Sequence, residues 1–369
     1  MKLLEFLKTP DAYTRRTGPL DKIVLTSRVR VARNLEAVSF PGHSKKAQRV
    51  KALESLLPAV SELDSMQGGA HEGMGKLTAL EKQILVERHL ISREHAARGV
   101  GSAVVLSKDE VISVMINEED HLRMQVILPG LQVKEAWIKI DSFDSQLENV
   151  VPYAFSAKYG YLTACPTNLG TGIRVSAMLH LPGLVLAELI NQIITSVNKL
   201  GLAVRGLYGE GTEALGNVFQ VSNQMTLGES EAEIVEKLNK VVLQIVENEE
   251  NARQKVLETN PKMLLNHIGR AYGILSHSHS ISSKETKNLL SLLRLGVDLE
   301  LFPAAHRALV DELFIVTEPA HIQRRSAGKK TAEERDVLRA DLLRERLAEV
   351  PRPSDNKLDG TESESDEEA

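Results

Sequence analysis

Five arginines stand in segments rich in small or polar residues: Arg28 and Arg30 in TSRVRVARN, Arg123 in NEEDHLR, Arg174 in NLGTGIRVSAM and Arg205 in RGLYGE. A rigid guanidinium fork bonds phosphate oxygens bidentately, so such a set could neutralise a nucleoside triphosphate during phosphoryl transfer. Taken singly, each is more often half of a surface ion pair. An acidic group, N-E-E-D-H at Asn117 to His121, ends a strand-like run. Paired carboxylates there could hold a guanidinium cation, orient it and relieve it of a proton. Composition alone favours a solvated turn between two strands, and Glu210 is by the same measure an ordinary loop acid. Cys165 is the only cysteine. It excludes an intramolecular disulfide framework and any multi-cysteine zinc site, and by itself reads as an inert buried thiol.

The familiar nucleotide signatures are missing. No G-x-x-x-x-G-K-[ST] occurs, and GGAHEGMGK misses that pattern in spacing. Gly209, Gly211 and Ala214 fit the relaxed G-x-G-x-x-G/A pattern, but Glu210 inside that turn would bring a carboxylate to a pyrophosphate, so the match is treated as chance. In RDVLRA, Arg335 and Arg339 lie one helical turn apart on one face, a spacing that could clamp a phosphate or a phosphorylated arginine. Composition alone favours an exposed helix laced with ion pairs to Glu333, Glu334 and Asp336.

The elements that must position these groups suggest an α+β fold. Residues 1–90 read as a mainly helical N-terminal region, with apolar spacing through Val50, Leu53, Leu56 and Leu57 and a mobile Gly-rich loop at Gln67 to Gly75. From Ala103 the period shortens: VVL, VISVMIN and LRMQVILPG predict antiparallel strands, and GYLTACP, LAVRGLY and NVFQVSNQMTL predict more, separated by helical stretches such as Leu179 to Leu200. Ser230 and Glu233 form a capping-box pattern ahead of Ile234, Leu238, Val241 and Ile245, so a long helix is expected to end near Asn260. The expected units are therefore this region, an α+β unit at 91–258 with an antiparallel sheet flanked by helices, an all-helical domain at 259–350, and a disordered acidic tail at 351–369.

At 369 residues two or three units are expected. No apolar run approaches the roughly 20 residues of a membrane span. The opening MKLLEFLKTP has neither an extended apolar core nor a small-residue cleavage site, so a cytoplasmic protein is expected. A net charge of −5, part of it in ESESDEEA, gives no support for nucleic-acid binding.

Taken together and in order, TSRVRVARNL, NEEDHLRMQ, CPTNLGTGIR and RGLYGEGTEALGNVFQVSNQ resemble the catalytic segments of the phosphagen (guanidino) kinases. The last two, with RDVLRA, are most similar to the bacterial protein arginine kinases of the McsB type, and the resemblance runs from about residue 20 to about residue 345. It implies a phosphagen kinase-like catalytic domain whose nucleotide contacts fall on Thr26, Ser27, Arg28, Val29 and Arg30, on His89 and Arg123, on Arg174, Val175, Ser176, Ala177 and Met178, and on Arg205, Gly206, Leu207, Tyr208, Gly209 and Glu210. Thr26 stands where serine is common in this motif and keeps the hydroxyl. Glu119 and Glu210 match the acidic guanidinium contacts, with Glu119 the catalytic base, and Cys165 matches a cysteine beside the guanidinium, where a thiolate would favour the cation electrostatically. Arg335, Asp336, Val337, Leu338, Arg339 and Ala340 match an allosteric phosphoarginine-binding motif.

The implied reaction is in-line transfer of the γ-phosphoryl of ATP to arginine, with Mg²⁺ held by phosphates and water rather than by a protein site. The short N-terminal region and the added helical domain favour arginine in proteins over a free guanidino compound, because a protein substrate needs an open site. The resemblance further implies a zinc-containing activator protein, a Clp-type protease that degrades the marked proteins under stress, and a homodimer. A kinase of a free guanidino compound and a silent phosphoarginine-binding adaptor are the alternatives.

Overall fold

The computed structural model describes Leu3, residues 17–206 and residues 214–354. The expectations for Leu207, Tyr208, Gly209 and Glu210, and for the tail beyond residue 354, lie outside the described residues.

Among the described residues ten strands form two sheets: β1 (Val24–Arg33), β2 (Ala70–Gly73), β3 (Ala103–Leu106), β4 (Ile112–Ile116), β5 (Leu122–Pro129), β6 (Phe155–Ser156), β7 (Gly160–Tyr161), β8 (Ile173–His180), β9 (Leu202–Gly206) and β10 (Val218–Asn223). Eight of them make one antiparallel sheet in the order β2-β3-β4-β5-β1-β8-β10-β9, and β6 pairs with β7. β1 lies near its centre because Val29 and Val31 face one side and Thr26, Arg28 and Arg30 the other, the period of two that a strand requires. Val29, Val31, Val126 and Val175 are at most 1 % exposed. They pack under helices α4 (Val133–Glu148) and α7 (Glu231–Thr259), whose Ile140, Phe143, Leu238 and Val242 share the same core. Before them in the chain come α1 (Lys46–Ser61), α2 (Ala79–Glu87) and α3 (Arg93–Ala96), and between them the short α5 (Pro182–Leu186) and α6 (Ile190–Lys199). The Ser230–Glu233 capping box is present at the start of α7, and Asn260 ends it.

Beyond α7 come α8 (Pro261–His277), α9 (Ser283–Asp298), α10 (Arg307–Val316), α11 (Pro319–Arg325) and α12 (Ala332–Leu347); Ala320 of α11 packs with Ile84 and Leu85 of α2, and the other helices form the second core. Leu264, Ile268, Leu290, Leu293, Leu313 and Leu343 fill it. Polar contacts dock this domain on the catalytic unit, among them two buried charged anchors. Arg294, 1 % exposed, donates to the carbonyls of Asp21 and Lys22 at 2.8 and 2.9 Å and pairs with Asp311 at 2.7 Å. The buried Glu87 carboxylate, at the end of α2, accepts from the backbone N–H groups of Ala320 and His321 at 2.8 and 3.1 Å and so satisfies the start of α11.

Four expectations are corrected. Residue 90 is not a packing boundary, because β1 is central to the sheet and Ile84, Leu85 and Leu90 pack with Val104, Leu106 and Met115 from β3 and β4. The Gln67 to Gly75 segment holds the edge strand β2, paired with β3 from Ala70↔Leu106 to Gly73↔Ala103. The stretch from Leu179 to Leu200 is not one helix: β8 runs to His180, and α5 and α6 follow, divided at Glu188, whose φ of 59° is left-handed. GYLTACP contributes only the two-residue β7.

Candidate active site

Strand register carries the arginines to one face. Residues opposite one another in a ladder share a face. Ala32 lies opposite Arg123, Arg30 opposite Arg174, Thr26 opposite Met178, Met178 opposite Gln220, and Gln220 opposite Arg205. Arg28, Arg30, Arg123, Arg174 and Arg205 therefore all rise from the side of the sheet that α4 and α7 leave uncovered. Arg28 donates to Gln220 Oε1 at 2.7 Å, Arg174 to Ser222 Oγ at 3.3 Å, and Arg123 to Glu118 Oε2 at 2.5 Å. The Nε atoms of Arg30 and Arg174 are buried without a hydrogen-bond partner. Burial lowers the pKa of Arg30 well below its usual value, and the charges of Arg28, Arg123 and Arg174 lower it further. Arg174 is lowered by burial, then by Arg205 and Arg123. Stacked cations of this kind destabilise one another until an anion lies among them.

The same alternation separates the sequence-predicted contacts. Val29, Val175 and Ala177 point into the core on the other face. Ser27, fully buried, donates to the Gly130 carbonyl at 2.8 Å and accepts from Gln132 N–H at 2.9 Å, so it braces the start of α4. Thr26, Arg28, His89, Ser176 and Met178 meet around a small pocket with Ile127. Gly206 ends β9, just before the residues outside the description.

The acidic turn divides its labour. Asn117, held in a left-handed conformation (φ 58°), donates to the carbonyls of Arg49 and Gly101. Glu118, fully buried, accepts from Arg123 and from Ser92 Oγ. Asp120 accepts from Asn34 Nδ2 at 2.6 Å and from Ala164 N–H at 2.7 Å, and so ties the Cys165 loop to the turn. Glu119 is left to line a cavity of about 80 Å³ shared with Arg30, Arg123, Cys165, Asn168 and Arg174. Burial raises its pKa, the Arg123 guanidinium opposes that, and the Asp120 and Glu118 carboxylates add to it. Cys165 Sγ lies 3.0 Å from Thr167 Oγ1 at the rim. The loop returns to the sheet through Gly172 (φ 68°), where a Cβ would meet Arg33 Nη1 at 2.6 Å. Sequence reasoning missed Arg33, which pairs with Asp144 at 2.5 Å and lies 3.5 Å over the Tyr161 ring, pinning that loop from below. An arginine next to an asparagine gave no signal of it.

A second cavity, about 840 Å³, opens from Arg28, Arg30 and His89 towards the helical domain. Burial drives the His89 pKa down to about 3, with help from the charges of Arg28 and Lys287, so this side chain is neutral at physiological pH. His95 and His121 are lowered to about 4, chiefly by burial. An unfolded histidine binds its proton near pH 6.5. The unfolded chain therefore takes up more protons than the fold below that pH, and stability falls as pH drops from about 6.5 towards 4. Calorimetry is expected to give a lower Tm at pH 5 than at pH 7.5; an unchanged or higher Tm would contradict the buried neutral histidines.

The RDVLRA arginines are used unequally. Arg339, 1 % exposed, donates to the carbonyls of Thr317 and Ile281 at 2.7 and 2.9 Å and pairs with Asp336. Arg335 is half-buried and donates to the Lys330 carbonyl at 2.8 Å. Val337 is exposed, Leu338 half-buried, and Ala340 lies in the second core. Arg339→Ala is expected to cost about 3 kcal/mol, because it orphans two buried carbonyls, and Arg335→Ala under about 0.5 kcal/mol. Urea titration of both variants checks this, and equal costs would refute it.

Comparison with known proteins agrees with this geometry. Residues 52–252 match the family profile "ATP:guanido phosphotransferase, C-terminal catalytic domain", and residues 261–358 match "Protein-arginine kinase McsB C-terminal domain". The protein-arginine kinase of Pelotomaculum thermopropionicum is 46% identical over 337 residues, covering 90% of this chain and 95% of that protein. That of Bacillus subtilis is 43% identical over 356 residues, covering 94% and 96%. Among solved structures, the duplicated taurocyamine kinase of Schistosoma mansoni aligns with a TM-score of 0.57 and 26% identity over 66% of this chain and 35% of that chain. A lombricine kinase aligns at 0.55 and 25%, over 66% of this chain and 71% of that chain. The chain belongs to the ATP:guanido phosphotransferase family and, within it, to the protein-arginine kinases.

Proposed function

We propose that this kinase transfers the γ-phosphoryl group of ATP to arginine side chains of proteins. The observation that carries the reading is the cavity where Glu119 and Cys165 meet Arg30, Arg123 and Arg174. A carboxylate there suits a guanidinium, and the arginines beside it suit the phosphoryl group that must reach it. Nucleophilic attack by a terminal guanidinium nitrogen forms the N–P bond as the bond from the γ-phosphorus to the bridging oxygen breaks. ADP leaves, and Glu119 accepts the guanidinium proton. The arginine cluster neutralises the charge on the polyphosphate, and its unpartnered Nε atoms on Arg30 and Arg174 fit an anion. Magnesium would supply further charge neutralisation on the phosphates; among the described residues, no group of three or more His, Cys, Asp or Glu side chains could hold a metal ion.

In the wider reading the enzyme works in the cytoplasm; separately, no described helix is long and apolar enough to cross a membrane. There it would mark proteins for a Clp-type protease under stress, with a zinc-containing activator protein, as a homodimer regulated by phosphoarginine at Arg335–Ala340. The buried role of Arg339 supports Arg335 as the direct phosphate contact in that motif. Incubation with ATP and either free arginine or an arginine-rich protein, followed by mass spectrometry without acid, tests the reaction, since a P–N bond is acid-labile. Phosphate only on the free amino acid would make this a kinase of small guanidines; none on either, with activator present, would favour a binding adaptor.

A further inference from the structure

The 840 Å³ cavity has two walls from different domains. Arg28, Arg30, His89 and Gln125 form one, and Ser283, Lys287, Glu318 and Pro319, all from the helical domain, form the other. Its size is that of a small-molecule site. In the second wall Lys287 and Glu318 pair at 2.5 Å with side chains 8 and 6 % exposed. A buried ion pair is a poor source of stability, since apolar residues of similar volume commonly serve as well. Lys287 also lies near enough to His89, on the opposite wall, to help depress its pKa. Its charge therefore already reaches across the cavity that the arginine cluster opens into.

We propose that Lys287 is a polyphosphate contact supplied by the C-terminal helical domain, exchanging its Glu318 partner for the phosphates when nucleotide binds. The ammonium of lysine is a compact point charge suited to phosphate oxygens, and its long stem lets it change partners. The neighbours of the pair support an exchange. Glu318 immediately precedes α11, whose first N–H groups are held by Glu87, two residues before His89. Arg339 grips the Thr317 carbonyl on the other side of Glu318. The backbone on both flanks of Glu318 is thus anchored, while Lys287 carries its ammonium on a flexible four-carbon stem. The catalytic domain alone would then hold an incomplete nucleotide site. This inference rests on the reading that ATP occupies the cavity.

Binding of ATP and of inorganic triphosphate, measured by calorimetry on the full chain, tests the contact. Lys287→Gln is expected to weaken both by roughly 10- to 100-fold. Glu318→Gln breaks the same pair but keeps the lysine and removes a repelling carboxylate, so it is expected to bind triphosphate at least as tightly as wild type. Unchanged affinities in Lys287→Gln overturn the proposal, as does a loss confined to ATP, which would put Lys287 on the nucleoside. Equal losses in Lys287→Gln and Glu318→Gln also overturn it, since they mark a structural pair; if Lys287→Gln does not fold, weakened binding in Glu318→Gln decides alone. Arg30→Met in the same assay tests the underlying reading: undiminished ATP binding there removes the polyphosphate from this cavity altogether, whereas weak binding there with normal Lys287→Gln overturns only the lysine.

Discussion

Glu119→Gln is expected to lower kcat for arginine phosphorylation by about 10²- to 10⁴-fold while ATP binding stays near wild type. The amide keeps the shape of the carboxylate and its place in the pocket beside Cys165 and Arg174. It cannot accept the guanidinium proton, and it withdraws the negative charge that holds the cation. The same carboxylate sets the acid side of the rate profile. Its pKa is raised, first by burial and then by Asp120 and Glu118. The base is active when ionised, so activity falls with falling pH at a point above the ordinary glutamate value of about 4.3. Single-turnover rates across pH 5 to 8 check both statements. A kcat within tenfold of wild type would remove Glu119 from the role of base and leave Glu210 as the candidate.

Arg30→Met is expected to move activity and stability in opposite directions. Arg30 carries its charge against burial and against three neighbouring arginines, opposed by the Glu118 carboxylate. Such a cation strains the nucleotide-free fold and becomes favourable when phosphates arrive. Its removal should cost about 10²- to 10³-fold in kcat/KM for ATP, the scale for losing one preorganised charge contact. It should also raise the Tm of the ligand-free protein, by about 2 °C for each kcal/mol of repulsion relieved. Kinetics and a melting curve on one preparation measure both effects. A variant that loses activity and also melts lower would show that Arg30 holds the sheet together rather than awaiting an anion.

Much of the fold was legible because several elements obey one clear period. The apolar runs at β3, β4 and β5 and the capping box at Ser230 are local signals, and the structure contains each of them. β1 was not legible as a strand, since its exposed positions are arginines and its buried ones short valines, a mixture that reads equally well as polar helix or loop. β8 was hidden for the same reason by Arg174 and Ser176. At the site, the sequence named Glu119, Cys165 and the five arginines through a resemblance, and the fold brings all seven to one face of one sheet or its rim. It gave no warning of Glu87, Lys287 or Glu318, because the meaning of each depends on a partner distant in the sequence. It also treated Arg335 and Arg339 as equals, where burial makes one a structural tie and leaves the other nearer the surface.

The alternation along β1 has a consequence for how such a chain can vary through descent. Val29 and Val31 sit in the core while Arg28 and Arg30 face the cavity. One inserted or deleted residue in that strand would exchange the two sets, driving two guanidinium groups into the apolar layer and two valines among the phosphates. Point substitutions there can be sampled one at a time, but length changes would have no viable intermediate. Insertions should therefore accumulate elsewhere, as in the exposed residues around Tyr159, and the spacing of Arg28 and Arg30 should outlast the identity of nearly every residue around them.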